Sequence, residues 1–189
     1  MNVEFLFSVL TGVWAAGEIL LAVFTTTRDG VGKIHDRGTQ MMLWAVIIGS
    51  FKLDDWMHGF FAANMPGSES WLRPMALWVL IVGLAVRAAA IITLGRAFSA
   101  NVALRAGQTL QRSGLYSLVR HPSYLGLELI FLAAAIHTRT WACFAVILVP
   151  PTLAVLYRMH VEEAALRQAF GEEYNDYSRS TRRLIPGIY

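Results

Sequence analysis

Apolar and polar positions along this chain fall into long blocks, not into the short alternations of a soluble fold. A helix that crosses a bilayer needs about 20 mostly apolar residues. The first block, Val3 to Phe24, is interrupted only by Glu4 near its start and Glu18 near its end. After a polar loop, Thr25 to Thr39, a second block opens at Met41 and is clean to Phe51. It meets Lys52, Asp54 and Asp55, resumes from Trp56 to Ala63, and stops at Pro66 and Gly67. The third block, Trp71 to Leu94, holds one charge, Arg87. A long polar stretch, Gly95 to His121, precedes the fourth, Pro122 to Ile136, whose proline suits a first helical position. A short break at His137 to Thr140 leads to the fifth, Trp141 to about Tyr157, so these two predict a helical hairpin. Pro150 and Pro151 predict a kink in the fifth helix. Arg158 to Arg179 reads as an amphipathic helix outside the bilayer, with a tail behind it.

The pattern predicts an all-α polytopic membrane protein of about five transmembrane helices, with a helix 4–5 hairpin and a C-terminal amphipathic helix. It is read as one domain over residues 1–189, its membrane core spanning about 3–157 and its C-terminal helix and tail about 158–189. Met1 to Leu10 has no basic leader region and is read as part of the first helix, not as a removable signal. Composition agrees: 56% of residues are hydrophobic and 15% charged, against about a quarter charged in soluble domains. The formal charge of +3 comes without a basic stripe interleaved with aromatics, which sets nucleic-acid binding aside. The arginines follow topology instead. Arg28, Lys33 and Arg37 follow the first helix, Arg96, Arg105, Arg112 and Arg120 the third, and Arg158, Arg167, Arg179, Arg182 and Arg183 the fifth. Lys52, Arg73 and Arg139 are left for the other side. By the positive-inside rule the N-terminus lies outside and the C-terminus in the cytoplasm, as in a bacterial inner membrane.

Chemistry gathers on the cytoplasmic side. Gly114-Leu115-Tyr116 and Arg120-His121-Pro122-Ser123-Tyr124-Leu125-Gly126 make a turn-rich entry into the fourth helix. A helix start offers free backbone N–H groups to negative ligand groups, and Arg120 with His121 can bind a carboxylate there. The same residues also make an ordinary interface anchor. Arg158 and Glu162, like Glu163 and Arg167, are four apart on one helix face and form helical ion pairs. Adjacent glutamates point in different directions, so one can pair while the other meets a ligand such as a ribose diol. Arg87 and Glu128, inside apolar blocks, read as paired, snorkelling or functional groups. The five histidines show no metal-ligand spacing, and no metal is expected. Without GxGxxG, a Walker loop or GxSxG, any cofactor site must be built from helices. Cys143, the single cysteine, lies in an apolar run and reads as a small buried hydrophobe.

Taken in order, these pieces resemble the isoprenylcysteine carboxyl methyltransferase family in its shorter prokaryotic branch. The likeness runs through Asp36-Arg37-Gly38-Thr39, Leu94-Gly95-Arg96-Ala97-Phe98-Ser99, Gly107 to Leu110, Gly114 to Tyr116 and Arg120 to Gly126. It continues in Arg158, Glu162-Glu163, Phe170-Gly171, Tyr174, Tyr177 and Ile185-Pro186-Gly187. Phospholipid N-methyltransferases share the Arg-His-Pro-x-Tyr and Glu-Glu pieces. The resemblance implies an S-adenosylmethionine-dependent enzyme that methylates a lipophilic acceptor, a carboxylate foremost, entering between helices from the bilayer. It implies that His121, Tyr124 and Gly126 hold the methionine and sulfonium portion, Glu162 and Glu163 the ribose, and Leu110, Tyr116 and Leu118 the adenine. Arg120 and Arg158 would orient the acceptor beside the transferred methyl. A phospholipid or other amine or thiol methyltransferase, a membrane reductase and a non-catalytic membrane protein stand as alternatives.

Overall fold

The computed structural model describes residues 2–25, 32–36, 38–57, 60, 65, 69–105 and 107–189. Arg28 and Arg37 of the first polar loop, and the Pro66–Gly67 stop, lie outside the described residues. The chain runs through α1 (Val3–Thr25), β1 (Gly32–Asp36), α2 (Gly38–Met57), α3 (Glu69–Leu94), β2 (Val102–Arg105), α4 (Pro122–Thr138), α5 (Trp141–Phe170) and α6 (Glu172–Ser180).

Among the described residues three helices are long and apolar enough to cross a membrane: Val3–Thr25, Trp71–Leu94 and Trp141–Phe170. Of the five spans expected, the other two fall short by that measure. α4 has 17 residues, about 26 Å of helix. α2 has 20, but Lys52, Asp54 and Asp55 fill its last turns. Both nevertheless pack into the bundle, α4 against α3 and α5, and α2 against α5.

Small residues set the closest crossing. A Cβ on Gly126 would stand 2.6 Å from the backbone nitrogen of Arg87, and one on Gly83 3.0 Å from the Gly126 carbonyl. Ala76, Ala90, Ala133 and Ala135 are fully buried along the same helices. Lipid tails are as apolar as leucine, so helices in a membrane associate by such close packing and by polar ties. Thr152 Oγ1 supplies one tie, donating to Glu128 Oε2 at 2.7 Å and joining α5 to α4. The α4–α5 hairpin turns at Arg139, whose φ of 58° is left-handed.

Two expectations need correction. The helix boundary placed near Tyr157 does not exist: α5 continues for 30 residues to Phe170, through both Pro150 and Pro151. No glycine or proline stands between Arg158 and Phe170, and the break comes at Gly171, with φ 55°. The segment read as one amphipathic helix is therefore the end of α5 plus the nine-residue α6. In addition, the two polar loops are not wholly irregular. Residues Gly32–Asp36 pair antiparallel with Val102–Arg105, Gly32 opposite Arg105 and Asp36 opposite Val102. Both segments leave helices at the same end of the bundle, and pairing satisfies their backbone groups.

Candidate functional site

At that end the last turns of α1 and α3, the first of α2 and α4, the outer part of α5 and α6 surround a cavity of ≈ 1410 Å³, counted to its open mouth. Its wall has two characters. Gln108, Gln111, Tyr116, His121, Glu162, Tyr174 and Tyr177 make a polar, aromatic half, whereas Leu21, Ala22, Leu43, Trp44, Ile47 and Leu127 make an apolar one.

A row of hydrogen bonds runs along the wall. Arg158 Nε donates to Tyr124 Oη at 2.8 Å, and Tyr124 donates in turn to Glu162 Oε2 at 2.8 Å. The expected helical pair of Arg158 with Glu162 is thus bridged by a tyrosine from the neighbouring helix. Arg158 also donates Nη1 to Thr39 Oγ1 at 3.0 Å and Nη2 to the Ala100 carbonyl, so one guanidinium joins α5 to α2 and to the loop after α3. Held on three sides, its planar fork is pre-oriented.

Glu163, one residue on, faces the opposite way. It has no exposed surface. Its Oε1 accepts from Arg120 Nε at 3.2 Å and Arg183 Nε at 3.1 Å, and lies 3.3 Å from His121 Nε2. Its Oε2 accepts from Arg183 Nη2 at 2.7 Å and Arg167 Nη2 at 3.2 Å. The expected pair of Glu163 with Arg167 is present, as the outermost member of a larger hub. The hub fastens the chain's last segment: Arg120 N–H donates to the Arg182 carbonyl at 2.8 Å and His121 N–H to that of Arg183 at 3.0 Å. Arg120 Nη1 adds bonds to the Ser178 and Thr181 carbonyls, 2.9 and 2.5 Å. Glu163 drives the Arg183 guanidinium still further above its ordinary basicity.

The aromatic part is similarly laced. Tyr177 Oη donates to the Tyr116 carbonyl at 2.6 Å, and Tyr116 Oη reaches the Ala90 carbonyl of α3 at 3.4 Å. Burial pushes the Tyr177 phenol up to about 12 and raises those of Tyr116 and Tyr174 further, so all three are neutral donors at neutral pH. Tyr174 is fully buried, and its hydroxyl has no hydrogen-bond partner among the described residues. Among those residues no group of three or more His, Cys, Asp or Glu side chains could hold a metal ion.

Seven of the ten residues singled out from sequence meet at the cavity: Leu110, Tyr116, Arg120, His121, Tyr124, Arg158 and Glu162. Three are placed elsewhere. Leu118 is 58% exposed, Gly126 lies in the α3–α4 crossing, and Glu163 lies behind the wall. Sequence reading missed the pairing of Glu18 with Arg87, both of which line the cavity. Arg87 Nε and Nη2 grip Glu18 Oε1 and Oε2 at 2.7 and 2.8 Å, and Trp14 Nε1 donates to Glu18 Oε1 at 3.2 Å. Arg87 Nη1 reaches the Ser123 hydroxyl at 2.5 Å and carbonyl at 3.2 Å. A signal did exist: Glu4 to Glu18 and Arg73 to Arg87 are the same fourteen-residue step, and Arg73 pairs with Glu4 at 2.5 Å.

A helical bundle with a cavity at one end defines the class, a polytopic integral membrane protein. The profile of the isoprenylcysteine carboxyl methyltransferase family matches residues 75–168, which include α4, most of α5 and the hydrogen-bonded row. Protein-S-isoprenylcysteine O-methyltransferase A of Arabidopsis thaliana is 34% identical over 124 residues, 62% of this chain and 61% of that protein. Methanethiol S-methyltransferase 1 of Bradyrhizobium diazoefficiens is 38% identical over 72 residues, 38% of this chain and 24% of that protein. The solved structure of a eukaryotic intramembrane Ras methyltransferase, isoprenylcysteine carboxyl methyltransferase, superposes with a TM-score of 0.63 at 26% identity. That superposition covers 78% of this chain and 53% of the other. The chain spans about three-fifths of the length of the Arabidopsis relative. Over residues 75–168 it is similar to the isoprenylcysteine carboxyl methyltransferase family.

Proposed function

We propose that this protein transfers a methyl group from S-adenosylmethionine to a lipophilic carboxylate at the cytoplasmic face of the membrane. The observation that carries the reading is the Arg158–Tyr124–Glu162 row, set in the wall of a cavity lined by polar, aromatic and apolar side chains. The residues of the polar half fit the cofactor's parts. Glu162 offers a carboxylate acceptor for ribose hydroxyls, and Gln108 and Gln111 offer amides for a purine edge. Tyr116, Tyr174 and Tyr177 supply electron-rich rings to a cation. The partnerless Tyr174 hydroxyl is what a wall awaiting a polar group would contain.

When bound, S-adenosylmethionine supplies an electrophilic methyl on a sulfonium. The chain's own residues then do three things. Arg158, already fixed by Tyr124, Thr39 and Ala100, turns the acceptor carboxylate towards the polar half. The apolar half takes the acceptor's hydrocarbon and excludes water from the reacting oxygen. Glu163 keeps Arg120 and His121 in place from behind. A carboxylate is already an anion near neutral pH, so the site needs orientation more than a general base. Proximity can supply about 7–11 kcal/mol of the barrier.

The likeness to a methanethiol S-methyltransferase keeps a thiol acceptor as the second reading. It would need a proton acceptor, for which Glu162 or His121 stands at the cavity. The distribution of lysines and arginines supports an N-terminus outside and a C-terminus in the cytoplasm.

The test is transfer of labelled methyl by the purified chain in nanodiscs to a thioether carboxylate, phosphatidylethanolamine and a small thiol in parallel. Base-labile label in the carboxylate supports the reading. Label confined to the amine or the thiol reassigns the acceptor, and no label in any of them overturns methyl transfer.

A further inference from the structure

α1 is the most loosely held helix of the bundle. Of its 23 residues only Phe7, Trp14 and Glu18 are buried. It packs on α3 and, among the described residues, makes almost no contact with α2, although both contribute to the cavity wall. Trp14, Glu18, Leu21 and Ala22 share one face at helical spacing and turn that face to the apolar half. Moving apolar side chains from protein to lipid costs little, so α1's position rests on its polar ties. At the far end Glu4 binds Arg73 at 2.5 Å and His137 at 2.9 Å. Beside the cavity Glu18 binds Arg87, and the Ser99 hydroxyl donates to the Thr25 carbonyl at 3.1 Å. The two ionic rungs lie about 21 Å apart along the helix.

The Glu18–Arg87 rung is costly to build. Both side chains are 11% exposed, roughly 10 Å short of their helices' ends, where an ion must be paired to be tolerated. Neither charge belongs to the Arg158–Tyr124–Glu162 row, yet Arg87 also holds Ser123, the residue before Tyr124. The pair therefore reports the position of α1 to the first turn of α4.

Resting on the proposed function, the geometry points to Glu18–Arg87 as a specificity-determining latch. It fixes the cavity end of α1 and so sets the width of the apolar space lined by α1 and α2 that an acceptor's hydrocarbon must fit. It selects acceptors by the girth and length of their apolar part and does not contact the cofactor half.

Glu18→Gln, which keeps the shape and removes the charge, tests this, with the exchange of Glu18→Arg and Arg87→Glu as a second variant. In nanodiscs, Glu18→Gln raises KM about tenfold for the preferred member of a series of lipophilic carboxylates and flattens the chain-length preference. Affinity for S-adenosylhomocysteine stays within about twofold, and the exchange restores part of the preference. A readout independent of turnover uses nitroxides on Phe24 and Leu118, both exposed, in a Cys143→Ala background. Their distance distribution is narrow in the parent and broad in Glu18→Gln. An unchanged distribution, or a cofactor affinity that falls in step with KM, overturns the latch. A parent that transfers no methyl refutes the proposed function instead, and the spin labels still decide the latch.

Discussion

Glu162 and Glu163 are neighbours in the chain with opposite surroundings. Glu162 faces the cavity and accepts one phenolic hydrogen bond, whereas Glu163 is sealed behind the wall among three arginines and a histidine. Their alanine variants should therefore fail differently. Removing one member of a buried ion cluster strands the others, so Glu163→Ala costs about 3–5 kcal/mol, visible as a lowered Tm in detergent. Glu162→Ala leaves Tm near the parent value and weakens S-adenosylhomocysteine binding about tenfold or more, the scale of a lost charged hydrogen bond. Equal effects of the two on Tm and affinity would contradict this division. Arg158→Ala separates binding from turnover: transfer to a carboxylate falls roughly a hundredfold while cofactor affinity holds. Sequence reading found the Glu-Glu pair and the 100° step between its members, but which member faces the ligand depends on the rotation of α5. That rotation is set by Arg183 and Arg120, 20 and 43 residues away.

The elements were legible where apolar runs are long. α1, α3 and α5 follow from Val3–Phe24, Trp71–Leu94 and the run from Trp141, because lipid demands length and low charge. The boundary at Tyr157 was not, since leaving the bilayer changes the polarity of a helix without stopping it. Gly171 stops α5, and its φ of 55° disfavours a Cβ. The β1–β2 pairing was hidden because its strands lie in two loops separated by α2 and α3. Gly126, assigned from its motif to the cofactor, admits the Arg87 backbone at the α3–α4 crossing. Gly126→Ala should cost about 1–3 kcal/mol by overpacking, read as a fall in Tm. A parent-like Tm would mean that the crossing yields without strain.

At the scale of the whole molecule, buried phenols help to tie the elements around the cavity together. Neutral tyrosines join α6, the turn before α4 and α3. The sign follows from the raised phenol of Tyr177, at about 12 in the folded state against about 10 unfolded. The stability it lends is fully present below about pH 10 and is lost as pH climbs from there through about 12. Melting in detergent should therefore be flat across neutral pH and fall above about pH 10, and Tyr177→Phe should soften that fall. The same end gathers six separate elements around one space, a convergence that no single stretch of sequence displays. The ordered motifs marked most of its residues, and the Glu18–Arg87 pair escaped because its partners are 69 residues apart on different helices.

Under the proposed function this space binds S-adenosylmethionine and directs its methyl to a lipophilic acceptor. Calorimetric binding of S-adenosylhomocysteine to the detergent-purified chain, with nicotinamide adenine dinucleotide phosphate as the parallel ligand, tests it most directly. Saturable binding of the first, weakened in Glu162→Ala, and none of the second is the expected result. A well-folded sample that ignores S-adenosylhomocysteine, or that binds the nicotinamide nucleotide instead, would contradict it.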